Sequence, residues 1–229
     1  GIKTNDPVTA NKGIELDNEA IEQIIISTSN YSAEYGEAMS GAVTIITKDG
    51  GKQKTGGLIE YESDAFVRGS DLLNNGYDKY RFSLNGPVPF TSGNLTYYFL
   101  GTYEDTEIRN PRFQKIDHNG KEASTGTGKV VYSPEGSAFK MIMSGSFDRS
   151  YDQSYSHRRS KGNWLEDYYE WERGHNRLSL KLQDNLSENF AWDVFISRYE
   201  TFTNFAPQGN AHYKDFRFFY AIKASNNLA

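Results

Sequence analysis

The 229-residue sequence predicts a mainly β chain: an antiparallel up-and-down meander from a transmembrane β-barrel, incomplete in itself and preceded by a small α/β segment. Three observations point there. Apolar residues recur at every second position over most of the chain, the connections between those runs alternate between short and long, and residues 1–48 follow neither pattern.

Composition agrees with β structure. The hydrophobic fraction is 37%, below the roughly 45–50% of an average globular chain. Aromatics nevertheless reach 14%, with 16 Tyr and 14 Phe against 3 Met. No stretch approaches the ~18 consecutive apolar residues of a membrane helix, which excludes a helical membrane protein. The net charge of −5 comes from 30 acids and 25 bases mixed along the chain, so no basic stripe points to nucleic acid as a partner. Without cysteine there are no disulfides, thiolate metal sites or Cys nucleophiles. The chain opens on Gly1 with no basic-plus-apolar leader, and it reads as a piece of a longer protein.

The first segment, ELDNEAIEQIIISTSN, predicts a short helix capped by Asp17 or Asn18. It runs into a strand over Gln23 to Thr28, and AVTIITK supplies a second strand. Uninterrupted apolar runs bounded by turns are the mark of strands covered on both faces. KDGGKQKTGG, from Lys48 to Gly57, is a flexible linker by composition. The expected division is therefore 1–48, a linker at 49–56, and strands over 57–229.

Beyond the linker the period is two. Tyr80, Phe82, Leu84 and Val88 alternate with Lys79, Arg81, Ser83 and Asn85. Leu95, Tyr97, Phe99, Gly101 and Tyr103 oppose Thr96, Tyr98, Thr102 and Glu104, and Phe139, Met141, Met143, Gly145 and Phe147 oppose Lys140, Ser144, Ser146 and Asp148. Leu178, Leu180 and Leu182 face away from Arg177, Ser179, Lys181 and Gln183; Phe190, Trp192, Val194 and Ile196 face away from Asp193 and Ser197. Each run has one greasy and one wet face.

Short turns rich in Pro, Gly and Asn fall at 87–94, 133–137 and 184–189. Long connections fall at about 106–123, 150–174 and from 203 onward. In a meander this alternation collects the short turns at one end and the long loops at the other, as in outer-membrane barrels, whose apolar face meets lipid while the polar face lines the lumen. A soluble β-sandwich, for example a secreted or surface module binding glycans, also alternates, although it needs no one-sided loop lengths.

The stretch NYSAEYGEAMSGAVTIITKDGG resembles the end of the plug domain of TonB-dependent outer-membrane receptors, through Ser32 to Gly36, Gly41 to Lys48 and the following glycines. LNGPVPF followed by LTYYFLGTYED resembles the first periplasmic hairpin of the Oar-like branch of that family. The resemblance implies a fragment: the C-terminal part of a plug and about seven or eight strands of a barrel that in relatives has roughly 22. It implies location in the bacterial outer membrane, contact with outer-membrane lipid, import of a small-molecule, peptide or glycan ligand, and energy from the TonB complex through a preceding segment. An adhesin or protein-export barrel shares every feature. Glu34 and Lys48 are candidates for polar contacts between plug and barrel.

No enzyme is expected. STGTGKV at 124–130 imitates a phosphate loop, but Ala123 and Ser124 stand where that loop has residues it needs, and Val130 replaces its Ser/Thr; a small-residue strand segment is the plainer reading. DHNGK at 117–121 lacks the remaining carboxylates of a calcium loop. The four histidines match no zinc pattern, and neither cofactor nor metal is expected. In the long segment 151–175, Trp164, Tyr168 and Trp171 fall at i, i+4 and i+7 of a short helix capped by Asn163. Such a stripe is more often local packing. As a ligand platform it would combine Tyr151, Trp164, Tyr168 and Trp171 for stacking with His157, Arg158 and Arg159 for polar or anionic groups, joined by Arg109 and Arg112 from the preceding loop.

Overall fold

The structure, a computed structural model, describes residues 16–27, 42–66, 75–108, 119–155, 168–187, 190–208 and 220–226. Among these residues two antiparallel sheets form. The smaller pairs β1 (Ile21–Ser27) with β2 (Ala42–Thr47), Ile24 opposite Ile45. The larger is a meander of β3 (Gly56–Ser63), β4 (Asp78–Pro87), β5 (Leu95–Thr106), β6 (Lys121–Tyr132), β7 (Lys140–Tyr155), β8 (Tyr168–Ser187), β9 (Phe190–Gln208) and β10 (Tyr220–Asn226). Each strand pairs with its neighbours in sequence, and β3 and β10 are the two unclosed edges. The expected open meander is what forms.

Register joins the alternating faces across the whole sheet. Phe82 lies opposite Gly101, Phe99 opposite Gly128, Met143 opposite Leu180, and Leu180 opposite Ile196, so the apolar positions form one continuous face. That face is the exposed one. Phe82 is 51% exposed while the adjacent Ser83 is 5%; Leu178 is 57% and Ser179 6%; Ile196 is 52% and Ser197 6%. Among the described residues no second sheet stacks on the apolar face.

The connections alternate as the turn residues predict: short at 88–94, 133–139 and 188–189, longer at 64–77, 107–120, 156–167 and 209–219. Gly93 and Gly136 sit in two of the short turns at φ 79° and 74°, where a Cβ is strained. Asn94 ties these turns together, accepting from Ser133 N–H on its carbonyl at 2.7 Å and from Glu135 N–H on its side chain at 3.0 Å.

Three expectations need correction. Tyr168 and Trp171 are in β8, not on a helix. Backbone pairing between β7 and β8 runs on to Tyr155 and Tyr168, past the point where apolar alternation ends, so ladder hydrogen bonds and not a buried stripe decide the conformation there. The predicted N-terminal helix is one 3-10 turn, Asn18–Ala20, with Asp17 as cap accepting from Glu19 N–H at 2.8 Å. The small sheet is also not covered on both faces: Ile24, Ile25, Ile26, Val43 and Ile45 are exposed, because only the Ala20 end of β1 is docked and nothing among the described residues lies over the rest.

Strand β6 carries the loop-like STGTGKV motif inside a central strand, between β5 and β7. At the middle of its apolar face, before Val130 and Tyr132, stand two glycines, Gly126 and Gly128. A Cβ on Gly126 would lie 2.2 Å from the Phe147 ring, and one on Gly128 would lie 3.0 Å from the Phe99 ring, so aromatic side chains of the neighbouring strands occupy the space its own side chains would take.

Candidate functional site

The polar face of the large sheet is where charged and hydroxyl side chains converge. From β4 to β9 it carries Lys79, Arg81, Ser83, Thr96, Tyr98, Thr127, Lys129, Ser146, Asp148, His175, Arg177, Ser179 and Ser197 at matched registers. Hydroxyl pairs stitch neighbouring strands: Thr102 to Thr125 at 2.6 Å and Ser144 to Ser179 at 2.7 Å. His175 Nδ1 lies 2.7 Å from Asp148 Oδ2, and its ring stacks on Tyr199.

The N-terminal segment docks on this face over β4–β6. Ala20, Tyr98 and Leu100 form the buried apolar cluster, and the Tyr98 hydroxyl donates to the Glu19 carbonyl at 3.0 Å. Around it the contacts are ionic. Arg81 donates from Nη2 to Asp17 Oδ2 at 3.2 Å and also pairs with Glu60, while Lys79 Nζ lies 3.6 Å from Asp17. On the far side Lys129 Nζ donates to the Thr47 carbonyl at 2.8 Å and sits 2.5 Å from Asp49. Residues 48–55 then run close along the sheet: a Cβ on Gly50 would fall 2.2 Å from the Tyr97 carbonyl oxygen, so a bare backbone is what fits there.

Burial of Asp17 favours its neutral form, but the Glu19 N–H and the charges of Arg81 and Lys79 outweigh it and hold the carboxyl below its ordinary 3.8. A depressed carboxylate contributes stability that is complete above its unfolded-state value and lost as pH falls through its folded value. Docking is therefore expected to hold at pH 5 and to weaken only below 3.8. The Glu19 amide, bonded to Asp17, reports this directly: its chemical-shift titration should have a midpoint under 3.8, and a midpoint at or above that value contradicts the arrangement.

Of the sequence-predicted site residues, Glu34, Arg109, Arg112, His157, Arg158, Arg159 and Trp164 lie outside the described residues. Tyr151 is on β7 and on the apolar-face parity. Trp171 is on β8, on the polar-face parity, under the Arg173 guanidinium at 5.4 Å; Tyr168 heads the same strand. Tyr151 and Trp171 are thus on opposite faces of the sheet. Lys48 pairs within its own segment, to Glu19 at 2.6 Å. Among the described residues the polar contacts to the large sheet are made by Asp17, which sequence reading marked only as a helix cap, and by the Glu19 and Thr47 carbonyls and Asp49, which it did not single out. Their signal was faint: Arg81 and Lys129 are cations at mid-strand on wet faces, where they need an opposing acid.

Comparison with protein-family models, curated proteins and solved structures finds no match for this chain.

Proposed function

We propose that this chain supplies the end of the plug and the first barrel strands of a TonB-dependent, Oar-like transporter of the bacterial outer membrane, which imports a substrate across that membrane. The observation that carries the reading is the inversion of burial, with aromatic and aliphatic residues outward and hydroxyls and charges inward. In water such a face costs roughly 25 cal/mol for each Å² left exposed, whereas acyl chains accept it. The outward run on β5 from Leu95 to Tyr103 spans about 27 Å along the strand at ~3.4 Å per residue. At a tilt of about 40° that is roughly 20 Å, close to the ~25 Å apolar band of outer-membrane barrels.

The ionic seam between the N-terminal segment and the polar face suits a plug that must be released. Water replaces such hydrogen bonds at small net cost, so a pull by TonB on a preceding segment would loosen the seam and open a path along the lumen wall. The test is folding in detergent or lipid. The full-length protein should show heat-modifiable migration and need detergent to stay dispersed; a soluble, cooperatively folding monomer without detergent would overturn the assignment.

A further inference from the structure

The ion pairs between the N-terminal segment and the large sheet run one way. Among the described residues every cation belongs to the sheet and every acid to the segment: Lys79 and Arg81 hold Asp17, and Lys129 and Lys140 hold Asp49. The two ends differ in what stays on the wall when the segment leaves. Arg81 keeps Glu60 and Glu62 of β3. Lys129 of β6 and Lys140 of β7 pair with no second carboxylate among the described residues.

The two ammonium groups already converge on one acid. Lys129 Nζ lies 2.5 Å from Asp49 Oδ1 and Lys140 Nζ 3.9 Å from Asp49 Oδ2, so a carboxylate fits between them. Solvent reaches the place, since the Asp49 side chain is 42% exposed and that of Lys140 33%. Lys129 also donates to the Thr47 carbonyl. Thr47 and Asp49 both belong to the segment, so its withdrawal strips Lys129 of both acceptors at once. Two neighbouring cations without their acid attract any oxyanion that can take its place through charge-assisted hydrogen bonds. We propose that Lys129 and Lys140 form an oxyanion site on the polar face, filled by Asp49 while the segment is docked and open to a carboxylate or phosphate group from solution once it leaves. Segment and anion then compete, and by linkage each weakens the other's hold. The competition stands on this geometry. Its use rests on the transporter reading: an anionic cargo would occupy the wall that the plug vacates and oppose the plug's return.

The test titrates the folded, isotope-labelled chain at fixed pH with sodium phosphate and, separately, sodium acetate, each against sodium chloride at equal ionic strength. Two readouts are followed: the side-chain Cε resonances of Lys129 and Lys140, assigned by their loss in K129M and K140M, and exchange of the Lys48 amide, which donates to the Ala20 carbonyl. At least one oxyanion should shift both resonances saturably and speed Lys48 exchange beyond the effect of chloride, while the ladder amides between β5 and β6 stay unchanged. D49N removes the built-in competitor and should lower the half-saturating concentration roughly fivefold, as loss of an intramolecular rival implies. K129M/K140M should abolish the anion's effect on Lys48. An equal response to chloride, equal anion affinity in wild type and D49N, or an undiminished Lys48 response in the double variant overturns the proposal. If the double variant does not fold, the comparison of wild type with D49N decides. Heat-modifiability of the same sample is scored separately, so a lost anion site and a lost membrane assignment are distinct results.

Discussion

Phe82→Arg is expected, if the apolar face meets lipid as proposed, to destabilise the chain by about 2–4 kcal/mol, the usual cost of a cation on the lipid face of a barrel at mid-depth. Phe82 sits mid-strand on β4, half exposed, between Ile59 of β3 and Gly101 of β5. If that face met water, the same change would remove a greasy patch and fall within about 0.5 kcal/mol of neutral. The two environments thus predict different magnitudes and opposite leanings. Asn176→Arg is the control: it lies on the same face but beyond Leu178, where the apolar run gives way to polar residues, and its cost should be under about 1 kcal/mol. Urea unfolding in lipid vesicles measures both. Equal effects at the two positions would contradict an apolar band.

The two faces were legible in the sequence because strand geometry converts a period of two into sidedness with no further information. What was not legible lies where side chains and backbone part company. Strand β6 does not alternate on its own, since Gly126 and Gly128 leave their volume to Phe147 and Phe99 of other strands, and a residue's neighbour across a sheet is invisible along the chain. The outer parts of β7, β8 and β9 mix aromatic and polar residues on both sides without apolar alternation, yet pairing continues through Asp152 opposite Trp171 and Glu172 opposite Asn204. Tyr168 and Trp171, read with a helical period, belong instead to that ladder. The seam is the extreme case: Asp17 and Arg81 are 64 residues apart, and nothing local announces the pair.

That seam yields the second large effect. Arg81 bridges three acids, Asp17 through Nε and Nη2 and Glu60 and Glu62 through Nη1. Arg81→Met leaves Asp17 with Lys79 as its remaining nearby cation. Glu60 and Glu62 are exposed enough for solvent to screen their share, but the Asp17 side chain is 7% exposed. Removing one partner of a buried ion pair costs about 3–5 kcal/mol, and Asp17 keeps Lys79 and the Glu19 N–H, so docking should weaken by the lower end, about 3 kcal/mol, while the meander, held by its own ladders, stays folded. The Lys48 amide, which donates to the Ala20 carbonyl at 2.9 Å, should then exchange roughly a hundredfold faster, as that free energy implies. Adding Asp17→Asn to Arg81→Met removes the stranded charge and should restore part of the loss, a coupling that a double-mutant cycle isolates. A single substitution that leaves Lys48 exchange unchanged, or a double variant no better than the sum of its parts, would mean that the apolar cluster of Ala20, Tyr98 and Leu100 holds the segment and the ions merely decorate it. In the transport reading the distinction matters, because only an ionic seam can be exchanged for water without exposing apolar surface when the segment is pulled.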